Sequence, residues 1–183
     1  MTSVDIDQAR LGGRRVRRIV FTEAEVQERV RELGAEISQA YTPDDRLLVI
    51  GLLKGSFVFL ADLVRAIALP LHVDFLVASS YGKGKVSSGD VRLLYDPESS
   101  LEGRSVLLVE DIVDSGITLR KLLPRLDARG SASLDVCTLL HKRSDEDGHD
   151  PRWVGFDAPN EFLVGYGLDH AEDFRHLPYI ASL

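Results

Sequence analysis

The chain has 183 residues, a formal net charge of −7 at pH 7, and ordinary proportions of apolar, charged and aromatic residues. This length suits one domain that is large enough to bury a core, and the composition excludes a disordered or fibrous chain. The negative charge argues against a general attraction to nucleic acid or to an anionic membrane surface. We therefore expect a single domain over 1–183 with no nucleic-acid and no membrane partner.

The sequence also indicates where the protein works. Asp5 and Asp7 precede any apolar run, so no signal peptide is predicted, and no apolar run is long enough to span a bilayer. The single cysteine, Cys137, lies in an apolar strand-like segment and cannot form an internal disulfide. We expect a cytoplasmic protein in which Cys137 is a core residue.

The first predicted elements follow a basic cluster at 14–18, which we interpret as a solvated arm. Thr22 and Glu25 form a capping-box signature, and apolar residues then recur at helical spacing up to Ile37. The apolar run 47–53 predicts a buried strand, and Ser56 is a candidate cap for a second helix that ends near Pro70.

The later elements continue the alternation of strands and helices. Strands are predicted at 73–78, 106–109, 134–140 and 153–156, and a helix at about 115–127. Continuous apolar strands that alternate with helices indicate an α/β fold whose twisted, mostly parallel sheet is flanked by helices. The polar stretch 82–100 is predicted to be a loop, of the length typical of a mobile lid.

Ligands of such sheets bind beyond the carboxyl ends of the strands. The segment 106–119 reads VLLVEDIVDSGITL, so two adjacent carboxylates, Glu110 and Asp111, end a strand and a turn of small residues opens a helix. The N–H groups at a helix start bind anions, and Gly116 permits close approach of a phosphate monoester. The two carboxylates suit ribose hydroxyls or Mg²⁺, and Asp114 is placed to accept a proton.

A plainer interpretation treats Asp114 or Ser115 as a helix cap and the other acids as surface charges. Three acids in five residues beside an anion site would repel the anion that they border, unless a metal or sugar hydroxyls accompany it. We therefore favour the functional interpretation, in which capping is only part of the role.

The segment 110–118 closely resembles the motif with which type I phosphoribosyltransferases bind 5-phosphoribosyl 1-diphosphate (PRPP). The order Glu-Asp followed by Ile-Val-Asp-Ser-Gly is most similar to the hypoxanthine-guanine branch of that family. The resemblance runs from about Thr22 almost to the C-terminus. It implies Mg²⁺-dependent transfer of ribose 5-phosphate from PRPP to a purine base, with release of pyrophosphate. It also implies a hood built mainly from about 1–20 and 151–183, a lid at about 81–100, and a homo-oligomer, either a dimer or a tetramer.

Four separate motifs carry the residue assignments that the resemblance implies. The PRPP-binding residues would be Glu110, Asp111, Asp114, Ser115, Gly116, Ile117 and Thr118, with Asp114 as the catalytic base. The pyrophosphate-binding residues would be Lys54, Gly55 and Arg175, and the peptide bond before the lysine is often cis in the family. The purine-binding residues would be Lys142, Phe162 and Leu163. Ser80 and Tyr81 would open the lid, and Glu110, Asp111 and Asp169 would hold Mg²⁺.

The chain departs from the family pattern at Val113 and Ser115, which keep the usual bulk and hydroxyl, and at Ile117, where some members carry a basic residue. The acidic stretch 144–150 has no assigned role. Two alternatives remain open on sequence alone. One is a regulator of nucleic acid that senses PRPP or a nucleotide, and the other is a transferase for xanthine, adenine or a pyrimidine, because a fold does not determine the base.

Overall fold

The computed structural model of the chain describes residues 8–80, 91–143 and 150–183; for residues 8, 79, 80, 91 and 92 it describes only the backbone. The helices are α1 Gln8–Leu11, α2 Glu23–Ala40, α3 Phe57–Ala66 and α4 Ile117–Asp127, with a 3₁₀ turn at Pro43–Asp45. The strands are β1 Arg18–Phe21, β2 Leu48–Leu53, β3 His72–Ser80, β4 Val91–Tyr95, β5 Ser105–Val113, β6 Ser133–His141, β7 Trp153–Asp157, β8 Leu163–Val164 and β9 Ile180–Ser182. A search of the described helices finds none with the length and apolar character needed to cross a bilayer.

Six strands form the main sheet in the order β4-β3-β2-β5-β6-β7, and every neighbouring pair is parallel except β3 and β4. One face packs against α2 and α3, and the other packs against α4. Adjacent residues of β5 point to opposite faces, so Leu107 belongs to the first core cluster and Leu108 to the second. The predicted fold class is confirmed, and it aligns the carboxyl ends of β2, β5 and β6 at one edge.

Cys137 lies in the core beside α2, as predicted. Its side chain is completely buried, and burial raises the pKa of the thiol above its usual range. The thiol therefore stays protonated and packs as a small apolar group.

The predicted capping box of α2 is confirmed, because the Thr22 N–H donates to Glu25 Oε2 (2.8 Å) and the Glu25 N–H donates to Thr22 Oγ1 (3.3 Å). The predicted cap of α3 is wrong. Ser56 occupies the N-cap position in a helical conformation, and its hydroxyl donates back to the Leu52 carbonyl (2.6 Å). The buried hydroxyl thus ties the helix start to the end of β2.

Several predicted boundaries differ from the structure; α3, for example, ends at Ala66 and not near Pro70. Strand β5 continues past the two carboxylates to Val113, because Val113 is buried and still pairs with His141 of β6. Helix α4 begins at Ile117 and not at Ser115, because Gly116 adopts a left-handed conformation (φ 63°) at its N-cap. Residues 91–95 form β4 within the stretch that was predicted to be a loop.

A second, three-stranded antiparallel sheet has the order β1-β9-β8 and covers one end of the molecule. Its strands come from both ends of the chain, and Leu11, Phe174 and Tyr179 pack in its core. Because β8 begins at Leu163, this small sheet fixes the backbone next to the predicted purine-binding residues.

Candidate active site

A cleft of about 220 Å³ lies at the carboxyl ends of β5 and β6. Its lining residues are Asp111, Ile112, Asp114, Lys142, Phe162, Leu163, Leu168 and Asp169. The structure therefore brings together the predicted base, all three predicted purine-binding residues and two of the predicted metal ligands. The volume is below the roughly 300 Å³ at which cavities for drug-sized ligands begin, and it suits a small planar molecule. Sequence reasoning missed the apolar walls Ile112 and Leu168.

The predicted base and the predicted purine-reading lysine form an ion pair across the cleft. Lys142 Nζ lies 3.2 Å from Asp114 Oδ2, and the Lys142 backbone N–H donates to the Val113 carbonyl (2.9 Å). The lysine side chain is only 17% exposed, whereas that of Asp114 is 68% exposed. The lysine is thus fixed by β5, and the carboxylate reaches the open side of the cleft.

Phe162 offers an aromatic face to the cleft. The residue is 55% exposed, and its ring meets the edge of His170 at 5.4 Å between centroids. Its backbone is fixed, because its carbonyl accepts the N–H of Leu183 (3.0 Å) and the next residue, Leu163, pairs with Ser182 in the small sheet. An exposed ring on a fixed backbone suits stacking on a flat heterocycle.

The turn 115–118 forms the start of α4. The first N–H groups of a helix have no acceptor within it, and no described side chain caps this start, so it is suited to bind an anion. The Arg120 N–H donates to the Gly116 carbonyl (2.9 Å), and its guanidinium Nη2 lies 3.3 Å from the Ser115 carbonyl. Ile117 supplies no cation at this turn, but Arg120, which was not predicted from the sequence, supplies one nearby.

The loop after β2 packs tightly against β5. The Leu53–Lys54 peptide bond is cis, as the resemblance implied. Gly55 has no room for a side chain, since a Cβ there would lie 1.7 Å from Asp111 Oδ2. A Cβ on Gly167 would in turn lie 2.1 Å from the Gly55 carbonyl oxygen. The absence of side chains at the two glycines thus lets the 53–56 loop, the β5 carboxylate and the 167–175 segment pack in direct contact.

Arg175 is held in this junction by the segment that carries it. Its guanidinium donates to the Gly167 carbonyl (2.8 Å) and lies 2.8 Å from Asp169 Oδ1. Glu172, which sequence reasoning also missed, pairs with Arg175 (3.2 Å) and with Lys54 (3.0 Å). The two predicted pyrophosphate-binding cations therefore converge on one carboxylate.

The carboxylates of β5 carry unusual pKa values. Burial, assisted by the nearby Asp111 charge, raises the pKa of Glu110 to about 8. Burial raises the pKa of Asp111 to about 6, although its own backbone hydrogen bonds and the Arg175 charge oppose the rise. Glu110 is only 7% exposed, and its Oε2 atom has no hydrogen-bond partner within the described residues.

These acids fit Mg²⁺, which prefers hard oxygen ligands and is often held by one or two carboxylates together with substrate phosphates. A buried carboxyl oxygen without a partner is a group that a cation would satisfy. The described residues contain no cluster of three or more His, Cys, Asp or Glu side chains that could hold a metal unaided. Asp111 and Asp169 line the cleft, whereas Glu110 does not. The three predicted ligands thus do not form a ready-made site by themselves.

Two predicted features are not described at the level of side chains. Ser80 is the last residue of β3, where its backbone pairs with Val91, and Tyr81 lies outside the described residues. Most of the acidic stretch 144–150 lies outside them as well.

A larger cavity of about 620 Å³ lies on another part of the molecule, between α4, the start of β6 and Arg152. None of the predicted site residues lines it. We assign the chemistry to the smaller cleft, because converging polar groups and one carboxylate with a raised pKa, Asp111, lie there beside the start of α4.

Comparison with known proteins identifies the family of the chain. The family model for the phosphoribosyl transferase domain matches residues 21–171. The chain therefore belongs to the phosphoribosyl transferase family.

Within that family, the chain is similar to enzymes named for hypoxanthine. It is 47% identical over 171 residues to the hypoxanthine-guanine phosphoribosyltransferase of Dictyostelium discoideum, covering 91% of this chain and 95% of that protein. It is 46% identical over 168 residues to the hypoxanthine phosphoribosyltransferase of Haemophilus influenzae, covering 90% and 94%. The crystal structure of a hypoxanthine phosphoribosyltransferase from Staphylococcus aureus matches with a TM-score of 0.90 at 37% identity, covering 98% of this chain and 96% of that one.

Proposed function

We propose that this protein is a purine-salvage enzyme that converts hypoxanthine or guanine and PRPP into IMP or GMP and pyrophosphate. The observation that carries the proposal is the cleft in which Asp114, Lys142 and Phe162 meet beside the anion-binding start of α4. The names of the relatives support this reaction over a nucleic-acid regulator and over transferases for other bases.

Each chemical group of PRPP has its own set of contact residues in the site. The 5-phosphate binds the N–H groups and hydroxyls of residues 115–118, with Arg120 nearby as a cation. The ribose hydroxyls lie against the β5 carboxylates, and the pyrophosphate group reaches Lys54, Gly55 and Arg175. Glu110, Asp111 and Asp169 would hold Mg²⁺, which supplies positive charge that offsets the polyanion and favours departure of pyrophosphate.

The purine lies against Phe162, where the Lys142 ammonium faces its 6-oxo group. Purine N9 attacks C1 of the ribose as the bond from C1 to the pyrophosphate oxygen breaks. Asp114 accepts the proton from N7, so the base reacts without building up positive charge. Lys54 and Arg175 stabilise the negative charge on the leaving pyrophosphate, and we propose that the segment containing Ser80 and Tyr81 closes over the site and excludes water.

The choice of base follows from Lys142, which can only donate. A 6-oxo group accepts that hydrogen bond, whereas the 6-amino group of adenine also donates, so that two donors would face each other. A pyrophosphate-release assay with PRPP, Mg²⁺ and each free base in turn tests the proposal. We expect turnover with hypoxanthine or guanine and little with adenine. Absence of release with every purine, or a preference for adenine, would contradict it.

The variant Lys142→Ala tests the same assignment from the protein side. Loss of a charged hydrogen bond worth about 1.5–3 kcal/mol should lower kcat/KM for hypoxanthine by about 10- to 100-fold. The fall for adenine should be much smaller. Arg143→Ala is the matched control, since that neighbouring cation pairs with Asp157 (2.7 Å) and does not line the cleft. An unchanged ratio of hypoxanthine to adenine activity would remove Lys142 from this role.

We further propose that the enzyme is cytoplasmic and works as a homo-oligomer. Support comes from apolar side chains that stay exposed on one face of β3, namely Val73 (41% exposed) and Phe75 (40% exposed), because such surfaces commonly mark contacts between proteins. Sedimentation equilibrium of the purified protein measures the subunit number directly, and a monomer at micromolar concentration would contradict the proposal.

A further inference from the structure

Glu172 occupies a position that no step of the proposed reaction uses. Its Oε1 atom lies 3.0 Å from Lys54 Nζ, and its Oε2 atom lies 3.2 Å from Arg175 Nη2. Each oxygen of one carboxylate thus engages one of the two cations to which we assign pyrophosphate. Two oxygens of a phosphate group would present the same arrangement.

The backbone around Glu172 is shaped to hold this position. Ala171 and Glu172 both have left-handed φ values, 54° and 69°, and Phe174 follows with 75°. Such conformations are unfavourable for non-glycine residues and concentrate at functional sites. The Glu172 N–H donates to Asp169 Oδ2 (2.8 Å), so a predicted metal ligand fixes the turn that carries Glu172.

The three charged groups differ in how firmly they are held. Arg175 is 18% exposed and is anchored to the Gly167 carbonyl and to Asp169. Lys54 and Glu172 are 67% and 65% exposed. Exposed ion pairs contribute little to stability, so a ligand with several negative charges can displace the Glu172 carboxylate at little cost while Arg175 stays in place.

We propose that Glu172 is an internal competitor of pyrophosphate, which pairs with Lys54 and Arg175 while their subsite is empty and is displaced when the pyrophosphate group binds. The inference rests on the proposed function, because that function assigns pyrophosphate to these two cations. This competition lowers the affinity of the enzyme for pyrophosphate, so the product can leave after transfer. Glu172 therefore tunes product affinity and does not take part in the chemical step.

The test measures binding of inorganic pyrophosphate, in the presence of Mg²⁺, by calorimetry. Glu172→Gln keeps the size of the side chain but removes the charge that competes for the cations. We expect the Kd of pyrophosphate to fall by about three- to fivefold, the scale set by exposed ion pairs. The Kd of IMP, which does not reach the two cations, should stay within twofold of the wild-type value. A merely structural role would weaken both ligands.

Asp173→Asn is the matched control, because it removes one negative charge from the adjacent residue, whose carboxylate pairs with Arg14 (2.8 Å). We expect its pyrophosphate Kd to match that of the wild type. Equal or weaker pyrophosphate binding by Glu172→Gln, or an equal gain in Asp173→Asn, would overturn the inference. If either result occurs while the wild-type enzyme still releases pyrophosphate from PRPP, the inference about Glu172 is wrong but the proposed function stands. A wild type that neither releases nor binds pyrophosphate would overturn both.

Discussion

Asp114 combines exposure to the cleft with contact to a fixed cation. Its carboxylate is 3.2 Å from Lys142, and it follows directly the strand that ends at Val113. In the proposed reaction, a base in this position would reach a ring nitrogen of a purine stacked on Phe162, while residues 115–118 would hold the 5-phosphate.

Asp114→Asn should lower kcat by about 10²- to 10⁴-fold, the usual contribution of a general base. Binding of IMP should stay within a few-fold of the wild type, because the amide fills the same space. Steady-state kinetics and calorimetry measure the two quantities. Asp96→Asn serves as the control, since this exposed acid pairs with Arg129 (2.9 Å) and does not line the cleft. Near-normal turnover by Asp114→Asn would remove it from the base role.

Gly55→Ala tests the contact between the pyrophosphate loop and the β5 carboxylate. The added methyl would lie 1.7 Å from Asp111 Oδ2, so the carboxylate must move. A displacement of about 1 Å in a site can cost on the order of 100-fold in rate, and we also expect a higher Mg²⁺ concentration for half-maximal activity.

Gly130→Ala is the control for Gly55→Ala. Its nearest neighbour is 3.7 Å away, but its φ of 78° strains any side chain, so it should cost about 1 kcal/mol of stability without loss of activity. Full activity and an unchanged Mg²⁺ requirement in Gly55→Ala would contradict the proposed coupling between the loop and the metal ligand.

The apolar pattern predicted where β5 and β6 run, and it therefore placed Asp114 and Lys142 near one edge of the sheet. The family resemblance, and not this pattern, supplied the roles of Lys142, Phe162, Leu163 and Asp169. Sequence reasoning missed Glu172, since an exposed glutamate in a polar turn carries no periodic or motif signal. Glu172 reaches Lys54 and Arg175 because its turn adopts a left-handed backbone conformation. No sequence pattern predicts that conformation at non-glycine residues.

Among the secondary-structure elements, β5 determines where the site lies. The two carboxylates were interpreted as the strand end because charged residues usually mark an exit. The strand continues because Glu110 is buried and Val113 remains paired with β6. Burial of a carboxyl group inside a strand cannot be predicted from an apolar pattern, and this burial produces the raised pKa.

The packing of α2 against α3 makes a second element-scale prediction. A Cβ on Gly34 would lie 2.5 Å from Ala66 Cβ and 2.7 Å from the Ala66 backbone. Alanine normally stabilises a helix interior over glycine by about 0.5–1 kcal/mol, but overpacking costs about 1–3 kcal/mol. Gly34→Ala should therefore reduce the free energy of unfolding by about 1–2 kcal/mol in urea titrations.

Ala35→Gly is the matched control, because this exposed position in the same turn of α2 reports helix propensity alone. It should cost about 0.5–1 kcal/mol. A Gly34→Ala variant more stable than the wild type would mean that α2 and α3 do not approach as closely as the structure shows.

For the whole molecule, the site is a junction of segments far apart in sequence. The loop after β2, the end of β5 and the 167–175 segment meet through Gly55 and Gly167. The parallel sheet made the neighbourhood of β2 and β5 predictable. The position of the 167–175 segment was not predictable, because it depends on the small sheet formed by β1, β8 and β9. Local periodicity does not show that the two chain ends pair in this sheet.

The buried acids couple the stability of the whole fold to pH. In the metal-free protein the pKa of Glu110 is about 8, above its value in an unfolded chain of about 4.3. The folded state therefore holds a proton that the unfolded state releases between these two values. Stability contributed by this group falls as pH rises through that window, by up to about 1.4 kcal/mol per pH unit. Asp111 acts in the same direction up to about pH 6.

Urea denaturation with a chelator at pH 6, 7 and 8 measures this slope. We expect the free energy of unfolding to fall across the series in the wild type and to fall much less in Glu110→Gln. Added Mg²⁺ should stabilise the wild type more at pH 8 than at pH 6, because the metal must displace the proton. Equal slopes in the two proteins would contradict the raised pKa of Glu110.

A crystal structure of the protein soaked with IMP would show directly where the nucleotide binds. We expect the phosphate to lie within hydrogen-bond distance of the N–H groups of residues 116–118. We also expect the purine ring to lie over Phe162, with its 6-oxo group facing Lys142. Nucleotide density elsewhere, for example in the larger cavity beside α4 and Arg152, would contradict the proposed site.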